Sequence, residues 1–364
     1  MIFININEVA GIIFSNLHDR SIPELTSVRT MGAIPIGCGY RMIDFPLSSM
    51  ANSGIKNISV IAHHNYESLV EHIGNGAEWG IPIDKGGIKI ISPFMTAYAK
   101  RDGEKYTTRL DCLKNICNNL ERIKEKYIVM SDCDCVYDVD LNEMIDYHIK
   151  RSADLTVCST VEFKTDGNGR IIELDLSPSA AVDLNVNLWV FNRDFLIGIV
   201  KSAISRGYSN IVKDILGVNL DNYKIYEYKY DTEILRIKSI TEYFRLSMRF
   251  LKEPWFADAV LSNVRTRRKG LSPIKIGGKA AVKASMIGEG SVIEGTVEDS
   301  IVFGNVRVEE GAVVKNSILF PNVRINSGAK LDFVIADKNT SVGEGSVLAG
   351  CKILPYFVRI GKTV

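Results

Sequence analysis

A repeat of six residues near the end of the chain constrains the fold more than any other feature. Short apolar strands turned by small residues at this spacing predict a parallel β-helix, whose coils stack to bury a shared core. With short slips between groups, the apolar positions are Val302, Val308, Val314 and Phe320, then Ile325 and Leu331, then Val342 and Leu348. The glycines expected near corners are Gly288, Gly290, Gly295, Gly304, Gly311, Gly328, Gly343 and Gly345.

Residues 1–250 carry a different pattern, in which strand-like apolar runs alternate with helical ones. This predicts a Rossmann-like α/β domain with a mostly parallel sheet and a ligand crevice at the carboxyl ends of the strands. Helices are predicted at Leu110–Lys124 and Leu141–Lys150. The predicted strands are Ala10–Phe14, Ile58–His63, Tyr127–Met130, Leu155–Val161, Ala181–Phe191 and Lys224–Tyr228.

Residues 251–274 lack a clean period and contain Pro254, Pro273 and the basic run Arg265–Lys269. We interpret them as a linker with a solvated charge cluster. The predicted organisation is an α/β domain over residues 1–250, a linker over 251–274 and a left-handed β-helix over 275–364.

Composition argues against several classes of protein. The net charge of +1 and pI near 7.5 favour neither nucleic acid nor an anionic membrane as partner. The N-terminal apolar run contains Glu8 and no basic residues, so we interpret it as a buried strand rather than a signal peptide. No apolar run is long enough to suggest a membrane span. The seven scattered cysteines are typical of reduced thiols, so we expect a cytoplasmic protein.

The segment Arg29–Val60 contains the densest motif of the chain. Gly37 and Gly39 predict a tight turn at which backbone amides can approach an anion, and Pro46–Ser53 a short helix. The sequence of this segment, RTMGAIPIGCGYRMIDFPLSSMANSGI, resembles one family pattern, R-A-K-P-A-x-P-x-G-G-x-Y-R-x-I-D-F-x-L-S-N-x-x-N-S-G-I. That pattern belongs to sugar-1-phosphate nucleotidyltransferases of the ADP-glucose pyrophosphorylase type, which are glucose-1-phosphate adenylyltransferases.

The resemblance implies attack of glucose-1-phosphate on the α-phosphate of ATP. Such chemistry needs cations and amides around the triphosphate, a divalent ion, and a cation for the sugar phosphate. The family's Gly-rich phosphate loop corresponds to Asn16–Ser21, which contains no glycine and carries Asp19. The side chain of Leu17 and the charge of Asp19 both oppose triphosphate binding. The lysine of R-A-K-P is Met31 here.

The metal and sugar positions also depart from the family pattern. Cys133–Asp140 resembles G-D-H-I-Y-x-x-D and keeps one metal-binding carboxylate as Asp134, but the second metal-binding aspartate is Arg236. The sugar-phosphate lysine is Ser177. We interpret Asp134 as a vestigial catalytic residue and expect no metal or other cofactor in this chain, with Mg²⁺ only in a catalytic partner subunit.

The family segment W-Y-x-G-T-A-D-A, which contacts the nucleobase, corresponds to Lys105–Cys112. Asp111 is kept, while Thr108, Arg109 and Leu110 replace smaller residues and should narrow the nucleobase pocket. Losing one electrostatic stabiliser typically costs about 10²–10³ in rate, and several are lost here. A chain that keeps the scaffold residues of the family but lacks several of its catalytic and substrate-binding residues resembles the non-catalytic, GlgD-type regulatory subunits of the family. We therefore expect a hetero-oligomer, a tetramer, with a catalytic glucose-1-phosphate adenylyltransferase subunit in glycogen biosynthesis.

Three other functions stay open. The chain could be an active glucose-1-phosphate adenylyltransferase with a rearranged site, in which Arg20 and Arg236 act as phosphate cations. It could bind a sugar phosphate without a partner. Hexapeptide β-helices also serve acyltransferases, but the last histidine is His148, so residues 149–364 lack the usual general base.

The resemblance also implies an anionic effector site. Arg29 and Arg41 match the arginines of R-A-K-P and G-G-x-Y-R, and Lys338 stands where the family often has arginine. Arginine presents a rigid fork suited to phosphate, and lysine a point charge. Val28 replaces a lysine of this site, and structural ion pairs are the alternative role for all three cations.

Overall fold

The computed structural model describes residues 5–93, 106–137, 139–174, 186–231, 233–268 and 270–364. Backbone contacts divide the chain into two compact units. Unit 1 comprises Met1–His18, Arg29–Ala33 and Ile43–Leu235, and unit 2 comprises Asp19–Val28, Ile34–Met42 and Arg236–Val364. Among the described residues, no helix combines the length and apolarity needed to cross a membrane.

The strands before the β-helix are mostly short. In chain order they are β1 (Val9–Phe14), β2 (Pro35–Ile36), β3 (Tyr40–Arg41), β4 (Asn57–Ile61), β5 (Ile88–Ile91), β6 (Tyr127–Asp132), β7 (Cys135–Val136), β8 (Leu155–Ser159), β9 (Lys164–Thr165), β10 (Ile171–Glu173), β11 (Leu188–Asn192), β12 (Ile225–Lys229) and β13 (Leu235–Arg236).

The helices alternate with these strands. They are α1 (Pro23–Thr26), α2 (Asp44–Asn52), α3 (Glu67–Ile73), α4 (Arg109–Asn115), α5 (Cys117–Glu121), α6 (Leu141–Lys150), α7 (Arg193–Arg206), α8 (Ile240–Lys252) and α9 (Pro254–Leu261), with a π-helical turn at Ile211–Leu216. Short 3₁₀ turns lie at Ile6–Glu8, Asp19–Ser21, Met31–Ala33, Ala77–Trp79 and Ile83–Lys85.

Unit 1 is built on a seven-stranded sheet in the order β12-β8-β11-β6-β1-β4-β5. The pairs β12–β8, β6–β1, β1–β4 and β4–β5 are parallel, and β11 is antiparallel to both its neighbours. This confirms the predicted mostly parallel sheet. Parallel strands expose their carboxyl ends at one edge, so β1 and β6 bring the segments that follow them together.

Local sequence explains where two of the helices around this sheet begin. The side chain of Asp140 accepts from the backbone amides of Asn142 and Glu143 at the start of α6, and Asn192 caps α7 in the same way. The predicted helix Leu141–Lys150 is therefore confirmed. The run Leu110–Lys124 instead forms two helices, α4 and α5, that meet at Ile116.

Residues 275–364 of unit 2 form the predicted left-handed parallel β-helix, with three five-stranded sheets. Its strands are β14 (Lys275–Ile276), β15 (Ala281–Lys283), β16 (Met286–Ile287), β17 (Val292–Ile293), β18 (Thr296–Glu298), β19 (Ile301–Val302), β20 (Arg307–Val308), β21 (Val313–Lys315), β22 (Ile318–Leu319), β23 (Arg324–Ile325), β24 (Lys330–Asp332), β25 (Val334–Ala336), β26 (Ser341–Val342), β27 (Val347–Ala349) and β28 (Tyr356–Val358).

One apolar position in the predicted repeat is wrong. Val302 pairs with Leu319, 17 positions on, so Leu319 and not Phe320 continues the row of core residues. Two steps of six followed by one of five complete the 17-residue coil from Val302 to Leu319. Phe320 contacts the rings of Phe303 and Tyr243 instead, with centroids 5.3 and 6.2 Å apart.

Each coil of the β-helix turns at three corners, and glycine predominates at only one of them. Gly311 and its equivalents in neighbouring coils adopt a positive φ, but Asn305, Asn322 and Asn339 do so at a second corner, with φ of 60°, 65° and 59°. Asparagine tolerates this left-handed conformation better than most residues. The glycine pattern thus predicted the coils correctly while marking only part of their corners.

The segment predicted as a linker contains secondary structure. Residue 250 lies inside α8, and Pro254 begins α9 rather than ending a helix. Proline is favoured in the first turn, where its missing N–H is not needed. Arg265, Arg267 and Arg268 are exposed, as the solvated charge cluster requires, and Lys269 lies outside the described residues.

Candidate functional site

The candidate site lies at the carboxyl end of β6, inside unit 1. Phe14 of β1 and Asp132 of β6 are paired neighbours in the parallel sheet. The segments that follow these strands therefore meet, and they bring His18 against Asp132 and Asp134. Both aspartates are almost fully buried, with 2% and 1% of their surface exposed.

The histidine bridges the two carboxylates. Nε2 of His18 lies 2.6 Å from Oδ2 of Asp132 and 3.6 Å from Oδ2 of Asp134. The side chain of His18 is 16% exposed. One nitrogen and two carboxylates thus form a compact cluster, in which the candidate ligand atoms all lie within 4.8 Å of one another.

Arg109 adds a permanent cation to this cluster. Its Nε donates to Oδ1 of Asp132 at 3.1 Å, and a terminal nitrogen donates to Oδ2 of the same carboxylate. Its guanidinium carbon lies 4.8 Å from the ring centroid of Trp189, in cation–π range. Helix α4 positions Arg109, and the Thr108 side chain caps that helix by accepting from the amide of Asp111.

Proton affinities at the cluster follow from these contacts. Burial alone would lower the pKa of His18, but the charge of Asp134 and the hydrogen bond to Asp132 outweigh it, and the pKa is raised. Burial would raise the pKa of Asp132, but Arg109 and His18 together hold it below its usual value. Asp132 is therefore an ionised carboxylate, stabilised by the guanidinium of Arg109 and by its hydrogen bond with His18.

A small pocket opens beside this cluster. Its volume is about 140 Å³, and its lining residues are Leu17, His18, Thr107, Thr108, Arg109, Leu110, Asn210, Ile211 and Val212. Pockets for drug-sized ligands occupy about 300–1,000 Å³. The predicted narrowing by Thr108, Arg109 and Leu110 agrees with this size.

The segment that replaces the Gly-rich phosphate loop is fixed by its own side chains. Asn16 is 4% exposed, and its side chain bonds the amide of His63 and the carbonyl of His64. Leu17 packs against the core cluster of unit 1. These contacts hold the start of the loop against the segment that follows β4.

The other predicted site residues are distributed over the chain. Met31 is buried, and Asp111 forms an ion pair with Lys114 at 3.0 Å. Arg236 is half-buried, in unit 2, and Arg20 is exposed there. Ser177 lies outside the described residues.

The three predicted effector cations differ in burial. Arg29 lies in unit 1 and is 1% exposed, whereas Arg41 and Lys338 lie in unit 2, 7% exposed and half-buried respectively. The amide of Lys338 donates to the carboxylate of Asp337 at 2.7 Å. A surface-bound anion would thus reach Lys338 more readily than Arg29.

Sequence comparison identified Asp134 but missed Asp132 and the role of His18. Asp132 stands at a position outside the family motif, and His18 lies 114 positions from it. One signal was available. Because β1 and β6 were both predicted strands of a parallel sheet, polar residues after their carboxyl ends could have been expected to meet.

Comparison with known proteins agrees with this architecture. Residues 22–205 match the family described as "Nucleotidyl transferase", and residues 275–351 match "GlmU-like, C-terminal hexapeptide". The chain is 30% identical to the glycogen biosynthesis protein GlgD of Bacillus subtilis (strain 168) over 360 residues, 98% of this chain and 96% of that protein. The chain belongs to the nucleotidyl transferase family that includes GlgD.

Enzymes of the same family are also similar to this chain. It is 28% identical to the glucose-1-phosphate adenylyltransferase of Thermosipho africanus (strain TCF52B), over 84% of this chain and 78% of that protein. The identity is also 28% to the enzyme of Bacillus cereus (strain ATCC 10987 / NRS 248), over 80% and 81%. The part of this chain that matches the nucleotidyl transferase family begins at residue 22, directly after the altered loop Asn16–Ser21.

Proposed function

We propose that this chain is a catalytically silent regulatory subunit that acts with a catalytic glucose-1-phosphate adenylyltransferase in glycogen biosynthesis. The observation that carries the proposal is the cluster at the end of β6. Arg109 and His18 both form hydrogen bonds with the carboxylate of Asp132, beside a pocket of about 140 Å³. Similarity to GlgD over 98% of the chain supports the same assignment.

The chemistry of nucleotidyl transfer explains why this cluster favours silence. The Mg²⁺ of nucleotidyl transfer needs near-octahedral oxygen coordination that includes substrate phosphates, whereas this cluster supplies the imidazole nitrogen of His18 and a carboxylate that Arg109 orients. Arg236 replaces the second metal-binding carboxylate expected from the family. Since loss of one stabiliser costs about 10²–10³ in rate, the combined losses would leave little turnover. Mg²⁺ would then act only in the catalytic partner.

The β-helix and the sheet domain carry the surfaces proposed to meet the partner. Homologous subunits in closed oligomers reuse one interface geometry, so both kinds of subunit would contribute equivalent surfaces to the hetero-tetramer that the family resemblance implies. An anionic effector would act on the assembly by binding one of its states better than the other. Arg29, Arg41 and Lys338 are the proposed effector cations, with Lys338 the most accessible.

A reconstitution experiment tests the proposal. The chain is mixed with a catalytic subunit from the same source, separated by size exclusion, and assayed for ADP-glucose formation across activator concentrations. We expect one co-eluting complex whose activator response differs from that of the catalytic subunit alone. Separate elution together with unchanged kinetics would end the proposal. Pyrophosphate release by the isolated chain, abolished by Asp134→Asn, would instead favour the rearranged enzyme.

A further inference from the structure

The cluster of His18, Asp132 and Asp134 has the composition of a transition-metal site. We infer that it binds one first-row divalent transition-metal ion, with zinc as the expected ion. The ligands are Nε2 of His18 and one oxygen from each aspartate. Family resemblance led us to expect no metal, because the second family aspartate is Arg236. The residues that form this cluster are different, and two of the three lie outside the family's metal pattern.

The distances suit such an ion. Zinc binds imidazole nitrogen and carboxylate oxygen at about 2.0–2.2 Å, which places neighbouring ligand atoms of a tetrahedral site about 3.3–3.6 Å apart. Nε2 of His18 is 2.6 Å from the Asp132 oxygen, which is below that range, and 3.6 Å from the Asp134 oxygen, which is at its upper limit. Side-chain shifts of less than an ångström would therefore complete the coordination.

Arg109 is compatible with this ion. A carboxylate offers about four lone-pair positions on two oxygens, and the guanidinium uses one on each oxygen of Asp132. Two carboxylates and one guanidinium leave the site with one net negative charge when the imidazole is neutral. Arg109 then acts as an orienting group for a metal ligand, as hydrogen-bonding partners of ligating carboxylates do.

The ligand type selects against magnesium. Mg²⁺ requires near-octahedral oxygen coordination, whereas imidazole nitrogen suits zinc and its first-row neighbours. The pocket lined by His18 and Arg109 leaves room for water at a remaining coordination position. A bound ion would join the segment after β1 to the end of β6, so it should stabilise unit 1.

The test uses the full chain, freed of metal by a chelator, and needs no partner subunit. Its outcome is therefore separate from that of the proposed regulatory function. Zinc is titrated calorimetrically into the wild type and into His18→Asn and Asp134→Asn, and cobalt is added as a spectroscopic probe. His64→Asn is the matched control, because this exposed histidine lies at the same edge of the sheet, outside the cluster.

We expect one zinc ion per chain, with affinity lowered at least about tenfold in both cluster variants and unchanged in the control. Zinc should raise Tm of the wild type, Mg²⁺ should not, and the cobalt spectrum should lack thiolate charge transfer. Absence of zinc binding by the wild type, or equal affinity in the cluster variants, would overturn the inference. Thiolate absorption would also overturn it, by assigning the ion to Cys133 or Cys135.

Discussion

The buried charges at the end of β6 set the cost of individual substitutions there. Removing one partner of a buried ion pair leaves an uncompensated charge and typically costs about 3–5 kcal/mol. We expect Arg109→Gln to lower the free energy of unfolding by that amount, as measured by urea denaturation. The double variant Arg109→Gln/Asp132→Asn should lose less than the two single variants combined.

Arg193→Gln is the control for this prediction. Arg193 pairs with Asp194 at 2.6 Å and donates to the carbonyls of Ile123 and Lys124, but the aspartate side chain is 77% exposed, so the expected change is only about 1 kcal/mol. If Arg109→Gln costs no more than Arg193→Gln, the proposed role of the buried cation is wrong.

A second residue gives the chain an acid sensitivity. His148 is fully buried in α6, its Nδ1 lies 2.8 Å from the hydroxyl of Thr156, and burial lowers its pKa to about 4. The unfolded chain takes up a proton near pH 6.5, so the stabilising effect of the neutral ring is complete above that pH. It is lost as pH falls toward 4.

For His148 the difference between pH 7 and pH 5 is about 2 kcal/mol. We expect His148→Gln to lose correspondingly less stability over that interval than the wild type, in urea titrations at the two pH values. A variant whose stability falls as steeply as that of the wild type would contradict this assignment.

The limits of sequence interpretation are clearest among these residues. Asp134 was found because it lies within a family motif. Asp132 and His18 were missed because comparison with the family motifs reveals only which family residues are absent. Their contact also joins residues 114 positions apart. The burial of Arg29, at 1% exposure, likewise depends on packing that its motif does not encode.

Among the elements, the coils of the β-helix approach each other closely at specific glycines. A Cβ at Gly295 would lie 2.5 Å from the carbonyl oxygen of Ala312 and 2.6 Å from that of Glu309. Backbone atoms cannot move away as a flexible side chain can. We expect Gly295→Ala to destabilise unit 2 by about 1–3 kcal/mol in thermal or urea unfolding.

Gly278 provides the matched control within the same β-helix. A Cβ there would meet no atom within 4 Å, so Gly278→Ala should change stability by no more than about 0.5 kcal/mol. Equal effects of the two substitutions would show that coil spacing is not what requires Gly295.

Element boundaries show why periodicity alone was insufficient. The β-helix followed from its repeat, but Phe320 was assigned to the core because a step of six was continued through a 17-residue coil. Helix α9 was missed because Pro254 was interpreted as one of the features of a linker, whereas it occupies the first turn of the helix. In both cases the element type was set by context that a local pattern does not contain.

At the scale of the whole molecule, the chain keeps the scaffold of its family, and the proposed loss of catalysis rests on changes within the site. The seven-stranded sheet and the β-helix are those expected for the family. The pocket at the end of β6 is small, and its lining includes Arg109 and His18. A subunit of this kind would act through contact with a catalytic homologue, not through turnover.

Effector binding belongs to the same scale. If Lys338 contributes to an anionic effector site, Lys338→Ala should weaken the activator response of the reconstituted complex several-fold. Complex formation should be unchanged, because the substitution removes one point charge. An unaltered activator response would remove Lys338 from the proposed site.

The most direct test of the central claim is calorimetric titration of the isolated chain with ATP in the presence of Mg²⁺. A catalytic glucose-1-phosphate adenylyltransferase subunit under identical conditions serves as the positive control. We expect no saturable heat for this chain, because Arg109 and His18 both form hydrogen bonds with the carboxylate at the end of β6 and the pocket beside it is about 140 Å³. One ATP bound per chain with Mg²⁺-dependent affinity, lost in Asp134→Asn, would contradict it.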